Sequence, residues 1–104
     1  MNLVEKIKIL NNYLKIKNFN KVIEEGKKIL KKSQNNDYLL NLIGMAFQGK
    51  SQYLNSIRFF EDSLKINPSN IAAMNNYANS LKAIGKFEQS KNLYEKILDK
   101  DPNY

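Results

Sequence analysis

The stretch Tyr53–Asn70, YLNSIRFFEDSLKINPSN, returns 34 residues later as Phe87–Tyr104, FEQSKNLYEKILDKDPNY. Both copies begin on an aromatic residue (Tyr53, Phe87). Both carry a serine three on (Ser56, Ser90) and an aromatic at the centre (Phe60, Tyr94). Both keep a leucine (Leu64, Leu98) and close on an Asx-Pro step, Asn67-Pro68 and Asp101-Pro102. The same step backwards reaches Phe19–Asn36, FNKVIEEGKKILKKSQNN, a looser copy that keeps Phe19 and Leu30 but has Gln34 where the prolines fall. A fixed period of this size marks a stack of like units.

Working outward, the apolar residues recur at helical spacing throughout. Leu3, Ile7, Leu10 and Leu14 form one stripe, widened by Ile9, Tyr13 and Ile16. Phe19, Val22, Ile23, Gly26, Ile29 and Leu30 form a second, with Asn18 as a stop and Asn20 near a start. Ser33–Asn36 is turn chemistry, and Asp37 is placed to cap the next helix. Leu39, Leu40, Leu42, Ile43, Ala46 and Phe47 are dense enough to predict a helix buried on more than one side. Gly49-Lys50-Ser51 breaks it. Pro68, lacking an N–H and clashing with the preceding turn, ends the fourth helix. Ser69 or Asn70 caps a fifth, Ile71–Ile84, and Gly85 is a left-handed stop before a sixth, Phe87–Leu98. Nothing alternates with a period of two, so no strand is expected. The spacing predicts six helices with short links, antiparallel to their neighbours and dependent on stacking for a core.

Composition narrows the function. The chain has no Cys and no His, so thiolate chemistry, disulfides and the commonest general base are excluded, and no metal or cofactor is expected. The net charge is +7, and residues 1–36 hold nine Lys against three Glu. A basic end can meet nucleic acid or anionic lipid. Yet 16 of the 17 basic residues are Lys, which with abundant Asn and Ile is what AT-rich codon usage produces. Only Arg58 could make bidentate contacts, so a nucleic-acid partner through residues 6–32 is the weaker reading. No apolar run is long enough to span a bilayer, and the N-terminus lacks the uninterrupted apolar stretch of a signal peptide. A cytoplasmic location and no membrane partner are therefore expected.

The spacing resembles the tetratricopeptide repeat family of helix–turn–helix units. Leu40, Ile43, Gly44 and Phe47 match the first-helix pattern of large, large, small, aromatic, and Tyr53, Ser56, Phe60, Ser63 and Pro68 match the second. The third unit matches at Met74, Tyr77, Ala78, Leu81, Gly85, Phe87, Ser90, Tyr94 and Pro102. The resemblance implies an all-α, right-handed solenoid of three helix pairs, with units at residues 3–36, 37–70 and 71–104. It also puts small residues where paired helices cross, Gly44 facing Ser56 and Ala78 facing Ser90. The first unit departs: Leu10 stands at the small position, Val22 at the second, and Gly26 at the central aromatic one. This reads as a compensated exchange of bulk, or as a divergent cap. No extra helix covers the third unit, which leaves Leu81, Tyr94 and Leu98 with an exposed edge and suggests self-association through that unit or a longer array.

By the same resemblance the first helices line a concave face that binds protein or peptide segments. Asn41 and Asn75 are equivalent across units, Asn76 and Asn79 share a helix with Asn75, and Asn11 extends the row. Met45, Gln48 and Lys82 complete the expected surface. Asparagine offers both a donor and an acceptor to an extended backbone. The repeat array of O-linked N-acetylglucosamine transferases, a member of the family, uses such an asparagine ladder; here Leu42 interrupts the row equivalent to Asn76. The bland alternative is that these are tolerated surface residues in an Asn-rich chain. A cationic clamp for terminal carboxylates is not formed: Lys15, Gln48 and Lys82 lie near helix ends and no second-unit cation supports them. Family members also precede bacterial sulfotransferase or glycosyltransferase domains as targeting segments. Gly44–Ser51 fits the phosphate-loop pattern G-x-x-x-x-G-K-[ST], which needs a strand before it and a parallel sheet. Neither is expected, and no acid–base pair is visible. The sequence thus points to a non-catalytic binding scaffold.

Overall fold

Three asparagines one period apart start three helices. Asn2, Asn36 and Asn70 each accept a hydrogen bond on the side chain from the backbone N–H three residues on, at 2.9, 2.9 and 3.1 Å. This satisfies one of the donors that every helix N-terminus leaves free. In the computed structural model, which describes all of residues 1–104, these caps open α1 (Leu3–Lys15), α3 (Asp37–Gly49) and α5 (Ile71–Ala83). Their partners are α2 (Phe19–Leu30), α4 (Tyr53–Ile66) and α6 (Phe87–Lys100). There is no strand, and no helix is long and apolar enough to cross a membrane. Asn36, not Asp37, caps α3, and Asn18 caps α2 rather than ending α1 alone. Asp37 acts as a tie between helix pairs instead. Its Oδ2 accepts from Asn67 Nδ2 at 3.2 Å and Asn70 Nδ2 at 3.0 Å, fastening the start of α3 to the link between α4 and α5.

The first helix of each pair ends in the same way. Lys17, Ser51 and Gly85 have φ of 62°, 60° and 84°, and the following N–H bonds back to Tyr13, Phe47 and Leu81 at 2.8, 2.9 and 2.8 Å. This left-handed closure turns the chain sharply into the second helix. Gly85 was legible as such a stop. Gly49, by contrast, is the last residue of α3 and serves packing: a Cβ there would run into the ring of Phe19. The left-handed residue of that turn is Ser51.

Packing runs along the stack. The most heavily buried helix is α3, with Leu39, Leu40, Asn41, Leu42, Ile43, Gly44, Ala46 and Phe47 all buried, because it meets α2 on one side and α4 on the other. Phe60 is fully buried in the crossing of α3 and α4, where a Cβ on Gly44 would stand 2.5 Å from its ring. Burying such a side chain is worth about 1.5–3 kcal/mol. Phe60 is thus the nearest neighbour of Gly44. Ser56 points to the next pair, and its hydroxyl lies 2.8 Å from that of Ser80. Ser90 does face Ala78, donating to its carbonyl at 2.8 Å. In the first pair the bulk is exchanged. Leu10 and Val22 are buried, and Gly26 leaves room for Ile43, whose Cγ1 would be 2.8 Å from an added Cβ. Leu81 is buried, so of the edge expected on the third pair only Leu98, with Phe87, is largely exposed.

Candidate functional site

Helix α1 touches α3 and α3 touches α5, whereas α2, α4 and α6 do not touch one another. Helices that meet in series lie on the inside of a bend. The three first helices thus make one continuous face, and the sequence-predicted residues can be placed on or beside it.

Asn41 is buried within this face. Its Oδ1 accepts from Asn76 Nδ2 at 3.1 Å and its Nδ2 reaches Met45 Sδ at 3.8 Å. Gln48 is likewise engaged. Its Nε2 donates to the carbonyl of Asn76 at 2.9 Å and to Ser80 Oγ at 2.8 Å. Asn41, Gln48 and Asn76 are therefore brought together as a joint between the second and third pairs. A residue expected to greet a ligand is, for Asn41, one that locks neighbouring units. The proton order around Ser80 follows from donor counts. Ser56 gives its hydroxyl proton to Tyr53 O at 2.7 Å, so Ser80, which accepts from Gln48, donates to Ser56. No buried side-chain nitrogen or oxygen in the molecule lacks a partner. Ser80 and Ser56 were missed as joint residues; their signal was two serines in otherwise apolar stripes.

The others remain more open. Asn75 is half-buried and its side chain makes no hydrogen bond. Asn79 is exposed and accepts from the Tyr94 hydroxyl, which leaves its amide protons free. Asn11 pairs with the exposed Tyr38 hydroxyl at 3.1 Å, joining the first and second pairs at the surface. Met45 is half-buried. Lys82 is exposed and stands apart from the row, lining a shallow hollow of about 280 Å³ with Phe87, Tyr94 and Leu98 at the end of the array. Tyr38 and Tyr94 were not foreseen on this surface, yet each orients one of its asparagines.

The segment Gly44–Gly49 is helical, so its amides bond along α3 and cannot wrap a phosphate. Lys50 donates instead to Asn20 Oδ1 at 2.7 Å. One ionisable group on α5 is perturbed. Burial, then the charge of Glu61, then the hydrogen bond to it at 3.2 Å push the Tyr77 hydroxyl above its ordinary pKa.

Helix pairs stacked in register, with the first helices in contact along one side, define a helical-repeat protein. Residues 38–70 and 59–92 match two models of the tetratricopeptide repeat and together cover more than half of the chain. The chain belongs to the tetratricopeptide repeat family. The uncharacterized protein ycf37 of Pyropia yezoensis is 29% identical over 79% of this chain, which spans 51% of that relative's length. The first repeat domain of Spaghetti (RPAP3), solved with an HSP90 peptide, superposes with a TM-score of 0.93 at 20% identity, over 97% of this chain and 80% of that one. MamA of Desulfovibrio magneticus RS-1 superposes at 0.87 with 13% identity, over 94% of this chain and 55% of that one.

Proposed function

We propose that the chain is a non-catalytic scaffold that binds an extended protein or peptide segment along the face made by α1, α3 and α5. One observation carries this reading: the first helices meet in series while the second helices do not, so this face alone runs unbroken across all three pairs. Asn75, Asn79, Asn11 and Met45 are its available side chains, and the amides suit the alternating donors and acceptors of an extended backbone. RPAP3 domains of the same fold hold a peptide in the same kind of molecule. A cytoplasmic setting belongs to this reading. Asn41 and Asn76 act beneath the face by fixing the angle between the second and third pairs.

The test starts with peptides selected from a random display library on the isolated chain. Replacing Asn75 and Asn79 together by Ala is expected to weaken the selected peptides at least about tenfold, or 1.4 kcal/mol, with helicity by circular dichroism unchanged. Unaltered affinity with intact helicity removes the face from consideration. A secondary reading, self-association through α6, is favoured by the exposure of Phe87 and Leu98. Sedimentation of a monomer at high concentration would exclude it.

A further inference from the structure

The first helix pair holds a groove of about 690 Å³ between α1 and α2. It does not belong to the α1–α3–α5 face. Ile9 lines the groove while Asn11 meets Tyr38 of α3. Two positions apart on a helix, these side chains point in nearly opposite directions. The groove floor is apolar, formed by Leu3, Ile9, Leu10, Tyr13 and Ile29.

The repeat itself indicates what shape fills such a groove. One period on, Lys6, Ile9 and Tyr13 become Leu40, Ile43 and Phe47. In the second pair those three are buried, and α2 packs on two of them: Gly26 on Ile43, and Lys27 Nζ 5.4 Å from the centre of the Phe47 ring. The equivalent site within this molecule is thus filled by a helix.

Charge selects which helix. Lys6, Lys28 and Lys32 line the groove against one acid, Glu25. Glu25 is already shared between Lys28 at 3.4 Å and Lys21 at 3.9 Å, while Lys6 and Lys32 make no ion pair. A second copy offers no acidic helix, since its far-end helix α6 balances Glu88, Glu95 and Asp99 with Lys91, Lys96 and Lys100. A flat bilayer leaves a concave groove unfilled, and a nucleic acid leaves its apolar floor uncovered. We propose that the α1–α2 groove is a docking site for an acidic amphipathic helix of a partner protein, with the apolar stripe on Leu3, Ile9 and Ile29 and the flanking carboxylates on Lys6 and Lys32. Such helix-in-groove recognition reads apolar anchors at i, i+3, i+4 and i+7.

The experiment uses the full chain and a labelled peptide as long as the 13 residues of α1. The peptide carries leucines at i, i+3, i+4 and i+7 spacing with glutamates on both flanks. Anisotropy is expected to show saturable binding. Scrambling the peptide at constant composition, or replacing its glutamates by lysines, is expected to abolish it. The double variant Lys6→Glu with Lys32→Glu is expected to weaken binding at least about tenfold. Ile9→Asp does the same through the floor, and circular dichroism reports whether each variant stays folded. Asn75→Ala with Asn79→Ala leaves this binding unchanged, so failure here and failure of the inner face are told apart. Equal binding of the scrambled peptide, displacement by anionic vesicles or by an oligonucleotide at equal charge, concentration-dependent dimerisation blocking the site, or no binding at all overturns the proposal.

Discussion

The first and second helix pairs place their bulk on opposite helices at equivalent positions. In the second, the first helix supplies the hole, Gly44, and the second helix the knob, Phe60. In the first, Leu10 stands at the Gly44 position and Gly26 at the Phe60 position, and the space over Gly26 is taken chiefly by Ile43 of α3, with Leu10 in ordinary contact beside it. The third pair carries Ala78 at the Gly44 position and the half-buried Tyr94 at the Phe60 position. What this chain keeps is therefore not a residue at a position but filled volume at each crossing, supplied by whichever helix is near. Interiors at crystal-like density conserve that volume and are indifferent to which helix contributes it.

The sharpest way to break the comparison is to disturb one side of the second crossing alone. Phe60→Ala is expected to lower stability by about 3–5 kcal/mol, the usual cost of emptying a packed aromatic site. Gly44→Ala pits two effects. Replacing a helical glycine gains about 1 kcal/mol of propensity, but the new Cβ meets the Phe60 ring at 2.5 Å, and overpacking costs about 1–3 kcal/mol. The clash should win because Phe60 is enclosed on every side. Adding Phe60→Leu to Gly44→Ala should recover part of the loss, and urea midpoints for the double-mutant cycle would show it. Strict additivity would mean that the two volumes are not shared.

A smaller effect separates the second joint from the first. The second and third pairs are joined by the buried chain from Gln48 through Ser80 and Ser56 to Tyr53, whereas Asn11 and Tyr38 join the first two pairs at the exposed surface. Ser80→Ala leaves Ser56 Oγ without its donor and removes one acceptor from Gln48. A loss of about 1–3 kcal/mol is expected, against a few tenths for Tyr38→Phe, where water replaces the lost bond. Thermal melts showing equal losses would remove the distinction between a buried and a wetted joint.

The three turns give a third, smaller contrast with opposite signs. Lys17 and Ser51 hold positive φ where the third turn uses Gly85. A side chain in that region costs about 1–2 kcal/mol. Ser51→Gly is thus expected to stabilise by up to about 1 kcal/mol, and Gly85→Ala to destabilise by a similar amount. A Cβ at Gly85 meets nothing within 4 Å, so conformation alone is being measured. Two changes of the same sign would show that the turns are not equivalent.

These particulars explain what could be read from the chain beforehand. The period and the apolar stripes carried the six helices, because both are properties of local spacing. Asn70 was legible as a cap, whereas Asn2 and Asn36, which repeat with it at the same period, were lost in an Asn-rich composition. The partners of polar residues on the stripes were hidden for a different reason. Asn41 and Gln48 sit at surface-type positions of α3, and only the placement of α5 turns them inward to Asn76 and Ser80. Whether an amide faces a ligand or a neighbouring unit depends on the angle between units, which no single helix encodes. The groove beside α1 escaped notice likewise. Its lysines read as codon usage or a weak nucleic-acid contact until the equivalent, filled site in the second pair gave them a context.

The smallest expected effect lies at the contact between α4 and α5, and it is one of pH. Tyr77 donates to Glu61 across that contact, and its pKa is raised above the ordinary value of 10.0 by burial first, then by the Glu61 charge and bond. The folded protein therefore holds this proton more tightly than the unfolded chain. Its contribution to stability is complete below the unfolded value and is lost as pH rises through the folded one. Over the range from about pH 9 to pH 11, the urea midpoint of the native protein should fall more steeply than that of Tyr77→Phe. Glu61→Gln keeps an acceptor but removes the charge, and should lie between the two. Parallel curves for all three would show that the phenol is as free in the folded chain as in the unfolded one, and that α4 and α5 are held together by the Ser56–Ser80 bond and apolar packing alone.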